Sequence, residues 1–188
     1  MIEASQSVGV PGRLRLRWAV LCAIAAAVLI NAPGAIAAEP LSEAQAAVAR
    51  SAIINLFSWS LIAFDNKDYD RFLTTFADQG TFNVRDPDPK RDVSMTKAEM
   101  VKGWSKRRGK PGGDQHFTSN LNVVFTDARH ATLHGYYMWM QPNPEGHEGP
   151  LVPAGMGSYD VRLVKSKGQW LFSNYTLLHA GAGPAPLD

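Results

Sequence analysis

The sequence predicts an α+β domain in which helices come first and a curled antiparallel sheet follows. Apolar residues recur at three- and four-residue steps in the first part of the domain, which is typical of helices packed on a core. Four long β-rich segments follow, joined by links that contain Asp, Pro or Gly. Helices packed on one face of such a sheet leave a concave interior, and a cavity of this kind suits an apolar small ligand.

Residues 1–38 have the three parts of a secretory signal peptide. Arg13, Arg15 and Arg17 form a basic region, residues 19–30 form an apolar run, and residues 35–38 (AIAA) provide a small-residue cleavage site. The apolar run is shorter than the ~20 residues that a membrane-spanning helix needs. We therefore expect cleavage of residues 1–38 and export to the periplasm or the medium; a retained membrane anchor or a buried helix is the alternative.

The net charge of the mature domain gives no reason to expect a nucleic-acid partner. Of the chain's 19 basic and 17 acidic residues, three arginines and one glutamate lie in residues 1–38, which leaves 16 of each sign. The mature domain is therefore formally neutral, and the basic isoelectric point of the whole chain owes much to the signal peptide. We expect no membrane contact after cleavage.

Cysteine chemistry is excluded from the mature domain. Cys22 is the single cysteine of the chain and lies in the predicted signal peptide. After cleavage, the domain has no residue for a disulfide, a thiolate zinc site or a cysteine nucleophile. Histidines and carboxylates are then the groups suited to proton transfer near neutral pH.

Three helices are expected before the long strands. Ser42 and Gln45 form a capping-box pattern that starts the first helix, which should end near residues 65–68. Thr96 and Glu99 form a second pattern of this kind. The other elements expected in this part are a short helix at 69–76 that Gly80 ends, a short strand at 81–84, and a third helix at 97–108.

The second half of the chain predicts a four-stranded antiparallel sheet. The long strands are expected at 116–126, 130–141, 154–165 and 169–179. Residues 166–168 (SKG) predict a hairpin turn between the last two strands. Residues 180–188 are small and Pro-rich, so the domain is expected to span 39–179 and to be followed by a flexible tail.

His116 opens the first long strand and is a candidate functional residue. Regular alternation would place Thr118, Asn120 and Asn122 on its face of the strand. The opposite face would carry apolar residues, namely Phe117, Leu121, Val123 and Phe125. A pocket lining and a solvated surface both fit this pattern.

Three segments resemble the SnoaL-like proteins of the nuclear transport factor 2-like superfamily. Residues 61–72 (LIAFDNKDYDRF) resemble the end of that family's first helix, where an aliphatic stretch precedes Asp and a turn. Residues 115–121 (QHFTSNL) resemble its strand start, and residues 157–159 with 167–172 resemble its last hairpin. The resemblance extends over about residues 46–178. It implies a cone-shaped curled antiparallel sheet with three N-terminal helices that enclose a pocket.

The segments are most similar to three branches of this family: scytalone dehydratase, bacterial bile-acid dehydratase and lindane dehydrochlorinase. In each branch, the Asp at the helix end and the His at the strand start form a dyad, and by position these are Asp65 and His116. The resemblance implies that His116 takes a proton from carbon while Asp65 orients the imidazole. It implies a cofactor-independent, dehydratase-like lyase or isomerase whose substrate is a small apolar ring compound, such as a polyketide, a steroid or a hydroxylated terpenoid.

Further residues are expected to contact the substrate. They are Phe64, Phe82, Val84, Trp104, Asn120, Tyr137, Trp139 and Tyr159. The chain departs from the dehydratases at some of these positions: Phe64 and Val84 stand where a Tyr is usual, and Tyr137 stands where scytalone dehydratase has another His. No residue at these positions is therefore assigned to assist the leaving group. Tyr137 or Tyr159 is the alternative, through a phenolic hydrogen bond to that group.

Two other functions fit the same fold. A non-catalytic periplasmic small-molecule-binding domain would keep the pocket without the chemistry. An association module would use an exposed apolar sheet face, and a homo-oligomer formed through that face is expected. His130 and His134 share one strand face, but a metal site would need a third ligand such as His147. We therefore expect no metal site and no cofactor.

Overall fold

The computed structural model describes residues 40–104, 113–142 and 150–181. The predicted signal peptide, the last part of the third predicted helix and residues 182–188 of the predicted tail lie outside these ranges. The described residues form three α-helices, one 3-10 turn and six strands.

The first helix, α1, spans Glu43–Asp65. Its predicted capping box is confirmed: the Ser42 hydroxyl accepts from the Gln45 backbone N–H at 3.3 Å, and the Gln45 side chain accepts from the Ser42 backbone N–H at 3.0 Å. By length and composition alone α1 is long and apolar enough to cross a membrane, a property that core helices of globular domains share. The side chains that α1 buries are Ala49, Ile53, Phe57, Ser60, Leu61 and Ala63.

The second helix and the first strand differ from the prediction. Helix α2 spans Tyr69–Thr74, and strand β1 spans Phe76–Arg85. Gly80 was predicted to end a helix, but it lies inside β1, where the register against the last strand shifts. A Cβ at Gly80 would lie 2.8 Å from the carbonyl oxygen of Phe172. The two strands therefore pass too closely at this point for a side chain.

The polar loop after β1 contains a 3-10 turn and a short strand that were not predicted from the sequence. Pro89–Arg91 forms a 3-10 turn, and Val93–Thr96 forms strand β2, which pairs with β1. Helix α3 spans Lys97–Trp104 within the described residues. Its predicted capping box is confirmed, because the Glu99 carboxylate accepts from both the backbone N–H and the hydroxyl of Thr96 at 2.8 Å.

Four long strands complete the fold, as predicted. They are β3 (Gln115–Phe125), β4 (His130–Pro142), β5 (Leu151–Ser166) and β6 (Gln169–His179). All six strands form one sheet in the order β2-β1-β6-β5-β4-β3. Neighbouring strands are antiparallel except β1 and β6, which are parallel. The α+β class and the order of helices before long strands are confirmed.

The core between α1 and the sheet is rich in aromatic rings. Phe57, Phe72 and Tyr175 come from three different elements and are at most 2% exposed. The rings meet mainly edge to face, as Phe57 and Tyr159 do with centroids 4.8 Å apart. Large rings that interlock in this way leave little empty volume inside the domain.

A bulge in β3 changes which side chains share a face. The register against β4 shifts between Ser119 and Asn122, and Asn120 has a φ of +54°. The prediction that Asn120 and Asn122 share the face of His116 was wrong, because one extra residue moves the following side chains to the other face. Val123 is therefore buried on the His116 side of the sheet, and Asn120 is exposed at the bulge.

Candidate active site

Asp65 and His116 are in direct contact. Asp65 Oδ1 lies 2.5 Å from His116 Nδ1, and Asp65 Oδ2 accepts a hydrogen bond from the His116 backbone N–H at 2.9 Å. The His116 side chain is 9% exposed and that of Asp65 is 18% exposed, so water has little access to the contact. One carboxylate holds both the ring and the main chain of the same histidine, and this determines where the ring lies.

A second contact joins the same two chain segments. Lys67 follows α1 with a φ of +59°, and its ammonium group pairs with Asp114 just before β3. A non-glycine residue in the left-handed region turns the chain sharply at some cost in backbone energy. The Lys67–Asp114 ion pair and the Asp65–His116 contact thus both hold the end of α1 against the start of β3.

The contact with Asp65 decides which nitrogen of neutral His116 carries the hydrogen. An ionised carboxylate only accepts hydrogen bonds, so Nδ1 carries the hydrogen and donates it to Asp65. The lone pair of the ring then lies on Nε2. The carboxylate also stabilises the imidazolium that forms when Nε2 takes a proton. The arrangement is able to act as a general base through Nε2.

Aromatic side chains surround the His116 imidazole. Trp139 lies parallel to it, with ring centroids 6.2 Å apart and 8° between the ring planes. Phe64 meets the imidazole edge-on at 5.8 Å, and the Tyr137 ring lies 6.5 Å away. Three residues predicted to contact a substrate therefore surround the predicted base.

A small apolar cavity lies beside His116 inside the domain. Its volume is about 10 Å³, which is room for about one water molecule. Its lining residues are Leu61, Phe64, Phe72, Phe82, His116, Tyr159, Tyr175 and Leu177. Phe64, Phe82 and Tyr159 were predicted for this role from the sequence. The other apolar lining residues were not, although strand alternation links Tyr175 to Leu177. A ring compound fits here only if the surrounding side chains move.

Tyr159 contributes a buried hydroxyl group to this region. Its polar neighbour is the Tyr175 hydroxyl, but the Tyr159 hydroxyl forms no hydrogen bond of ordinary geometry with any described residue, which is uncommon for a buried polar group. Burial raises the pKa of Tyr159 well above its ordinary value, and the nearby Tyr137 phenol raises it further. Tyr159 therefore keeps its proton at neutral pH and is able to donate a hydrogen bond to a ligand oxygen.

The other predicted contact residues lie outside the cavity lining. Val84 packs against the core, and Trp104 is 7% exposed, with its ring 5.8 Å from that of Phe64 and 5.3 Å from that of Phe82. The prediction for Asn120 is corrected, because the β3 bulge leaves this residue exposed. Strict alternation along the strand had placed it on the same face as His116.

A larger groove lies next to Trp139, with a volume of about 620 Å³. Trp139, Gly155 and His179 line it together with the loop after β1, which contributes Asp86, Asp88 and Arg91. Trp139 also lies parallel to the His116 ring, so the same indole borders the groove and neighbours the imidazole. His179 was not predicted from the sequence, although alternation from Leu177 would have placed it on the inner face of β6.

The opposite face of the sheet carries a second Asp–His pair. His134 Nδ1 lies 3.6 Å from Asp160 Oδ2, beside a groove of about 540 Å³. Large exposed apolar side chains on this face are Phe117, Val124, Tyr136, Met138 and Met156.

Within the described ranges, no three His, Cys, Asp or Glu side chains are placed to hold a metal ion. His147, considered as a third ligand with His130 and His134, lies outside those ranges.

Comparison with known families and structures identifies the fold. The profile of the SnoaL-like domain matches residues 45–176. No curated protein matches the chain. A scytalone dehydratase-like protein from Novosphingobium aromaticivorans superposes with a TM-score of 0.60 at 18% identity, over 74% of this chain and 89% of that chain.

Two further solved structures have the same fold. A hexachlorocyclohexane dehydrochlorinase (LinA-type3) from Novosphingobium barchaimii superposes with a TM-score of 0.58 at 19% identity, over 74% of this chain and 91% of that chain. A ring-hydroxylating dioxygenase β-subunit-like protein from N. aromaticivorans has a TM-score of 0.60 at 17% identity, over 71% and 90% of the chains. At these identities the likeness concerns the fold, and the predicted nuclear transport factor 2-like architecture is confirmed.

Proposed function

We propose that this chain, which belongs to the SnoaL-like family, is a cofactor-independent lyase or isomerase of the dehydratase type. The observation that carries the proposal is the contact of 2.5 Å between Asp65 and His116. The contact is largely buried among aromatic rings, where an imidazole and a carboxylate interact strongly because water is excluded. His116 is the proposed base, and Asp65 is its orienting partner.

The proposed step removes a proton from carbon. His116 Nε2 takes the proton, and the electron pair of the broken C–H bond forms the second bond of a C=C as the neighbouring group leaves with its own bonding pair. In a dehydration, the proton then passes from Nε2 to the departing hydroxide, so water leaves and the imidazole is neutral again. Asp65 stabilises the imidazolium between these two events.

The proposed substrate is a small, mostly apolar ring compound that carries an oxygen function. The cavity lining is apolar apart from His116 and the tyrosines, and the Tyr159 hydroxyl forms no hydrogen bond of ordinary geometry with a described residue. One of the similar structures is named as a dehydrochlorinase of hexachlorocyclohexane, which is an elimination from a ring compound. The groove of about 620 Å³ beside Trp139 offers the space that the inner cavity lacks.

A turnover assay with cyclic β-hydroxy ketones tests the proposal. These compounds lose water to form conjugated enones, and ultraviolet absorbance reports the product. We expect His116→Ala and Asp65→Asn to lose turnover by about 100-fold or more while circular dichroism remains that of the folded protein. His134→Ala is the matched control, because it removes a histidine that faces an aspartate on the opposite side of the sheet. It should leave turnover unchanged.

The alternatives predict other results of the same assay. A periplasmic binding domain without catalysis would bind ring compounds and turn none of them over. Equal losses of turnover in His116→Ala and His134→Ala would show that the losses reflect general damage to the sheet, and the proposed dyad would have to be abandoned.

We also propose that the protein is exported to the periplasm or the medium. The support comes from the basic, apolar and small-residue regions of residues 1–38. N-terminal sequencing of protein purified from the extracytoplasmic fraction should give Ala38 or Glu39 as the first residue. An intact Met1 in protein confined to the cytoplasm would contradict this.

Self-association through the outer sheet face is proposed as well. Phe117, Tyr136 and Met156 are each more than half exposed on this face. An exposed apolar area of this kind is typical of a surface that another chain covers. Sedimentation velocity should show an oligomer that Tyr136→Glu disrupts, whereas Val48→Glu, at an exposed position of α1, should not disrupt it. A monomer at every concentration would rule the oligomer out.

A further inference from the structure

Tyr137 and His179 form a second hydrogen-bonded pair next to the first. The Tyr137 hydroxyl lies 2.7 Å from His179 Nδ1. The Tyr137 ring is 6.1 Å from the His179 ring and 6.5 Å from the His116 ring, measured between centroids. Tyr137 is 4% exposed, so the hydroxyl has little access to bulk water. A buried tyrosine therefore neighbours both the proposed base and a second imidazole.

The Tyr137 and His179 side chains meet over strand β5 at a position where β5 has a glycine. Tyr137 is on β4 and His179 is on β6, and Gly157 of the intervening β5 pairs with both. A Cβ at Gly157 would lie 2.9 Å from Tyr137 Cε1 and would overlap the carbonyl oxygen of Leu178. Glycine is thus the residue that lets the two side chains approach each other here.

The Tyr137 hydroxyl decides where the ring hydrogen of neutral His179 lies. Burial raises the pKa of Tyr137 to about 12, so the phenol is protonated at neutral pH. If it donates its hydrogen to Nδ1, the imidazole carries its own hydrogen on Nε2. The reverse arrangement would leave a buried hydroxyl hydrogen without an acceptor among the described residues, which is unfavourable.

We infer that His179 is a second residue of the site that contacts the ligand, oriented by Tyr137 so that Nε2–H donates a hydrogen bond to a substrate oxygen. His116 has the opposite tautomer, because Asp65 accepts from its Nδ1 and leaves a lone pair on Nε2. One imidazole therefore accepts a proton from carbon while the other stabilises the negative charge that develops on oxygen. This inference rests on the proposed function, since it names the oxygen-binding group of the same reaction.

His179 is placed at the groove where a ligand of ring size fits. It lines the groove of about 620 Å³ together with Trp139, which stacks on His116. Both rings lie over Gly155, whose Cβ position is 3.5 Å from Trp139 and 3.9 Å from His179. The charged groups of the groove engage one another, with Arg91 Nε 3.8 Å from Asp86 and 3.7 Å from Asp88. The His179 ring therefore lines this groove beside the aromatic ring of Trp139.

Two ring ligands that differ by one oxygen test this inference. α-Tetralone carries a ring carbonyl, and tetralin has the same two rings without it. With the full chain, calorimetry should show that His179→Ala weakens α-tetralone binding by about 2- to 10-fold and leaves tetralin binding unchanged. Tyr137→Phe should act in the same direction, because it removes the hydroxyl that orients His179.

A second measurement reads the tautomer directly. In ¹⁵N NMR spectra of the histidine rings, His179 should carry its hydrogen on Nε2 in the wild-type protein, with the resonance assigned from His179→Ala. Tyr137→Phe should give a mixture of the two tautomers, because the hydrogen bond that selects one of them is gone. A purely structural role of Tyr137 would leave the tautomer unchanged.

The outcomes separate this inference from the proposed function. If both probes bind and His179→Ala weakens them equally or not at all, or if His179 carries its hydrogen on Nδ1, the inference is overturned while the ring-binding pocket stands. If neither probe binds the wild-type protein, the pocket of the proposed function fails, and the role of His179 fails with it.

Discussion

The carboxylate of Asp65 holds His116 at two atoms, the ring Nδ1 at 2.5 Å and the backbone N–H at 2.9 Å. The first bond orients the imidazole, and the second holds the start of β3 against the end of α1. Asp65 therefore combines the chemical role proposed above with a structural one. A substitution at this position must be compared with one that loosens the same chain segments without touching the imidazole.

Asp65→Asn should abolish most of the turnover while the fold persists. An amide has one acceptor oxygen and one donor NH₂ group, so one of the two His116 N–H groups would face a donor. We expect kcat to fall by about 100-fold or more. Asp114→Asn is the control, because it weakens the ion pair with Lys67 between the same segments. A similar loss of kcat in Asp114→Asn would mean that the loss reflects disorder of the segment.

Gly157→Ala should destabilise the protein and separate Tyr137 from His179. The added Cβ would overlap the Leu178 carbonyl, and forced packing of this kind costs about 1–3 kcal/mol. Urea unfolding measures the change in free energy. Gly103→Ala in α3 is the matched control, since its Cβ meets nothing within 4 Å and should stabilise the helix by about 0.5–1 kcal/mol. Equal effects of the two variants would contradict the close packing at Gly157.

Asn120→Val should destabilise the bulge that brings Val123 to the His116 side of the sheet. Asn120 has a φ of +54°, a region that asparagine tolerates and β-branched residues avoid at a cost of about 1–2 kcal/mol. Ser119→Val, at the exposed neighbouring strand position, should change stability by less than about 0.5 kcal/mol. Thermal unfolding compares the two. If Asn120→Val is as stable as the wild-type protein, the left-handed conformation at this residue is incorrect.

Stability should fall steeply at alkaline pH. Burial raises the pKa values of Tyr159 and Tyr175, and it raises the pKa of Tyr137 to about 12. Because the folded pKa exceeds the unfolded value of about 10, each phenol contributes stability that is complete below pH ~10. That stability is lost as the pH rises, by about 1.4 kcal/mol per pH unit for each tyrosine. For Tyr137 the loss continues up to pH about 12.

Urea unfolding at several pH values above ~10 measures this loss. Tyr137→Phe should reduce the slope of the unfolding free energy against pH by the contribution of one tyrosine. Tyr136→Phe, which removes an exposed phenol, should leave the slope unchanged. A slope in Tyr137→Phe equal to that of the wild-type protein would show that the Tyr137 phenol ionises as readily in the folded state as in the unfolded state.

The helix caps and the long strands could be predicted from the sequence because they depend on neighbours in the chain. Ser42 with Gln45 and Thr96 with Glu99 form their hydrogen bonds within one helical turn. Strand β2 and the true start of β1 could not be predicted in this way. Strand β2 depends on pairing with β1 across the polar loop, and the start of β1 depends on pairing with β6, whose residues are distant in the chain.

The sequence by itself determined the class of the fold and the order of its helices and long strands. Resemblance to a family pointed to the two residues of the proposed dyad. The tertiary structure decided the geometry of the site. It placed the Asp65 carboxylate within hydrogen-bonding distance of both the backbone N–H and the ring Nδ1 of His116. It also left Asn120 exposed at a bulge in β3 and brought the His179 ring to the Tyr137 hydroxyl over Gly157. These contacts join residues from different strands and helices, so they depend on register and close packing, which local sequence patterns do not encode.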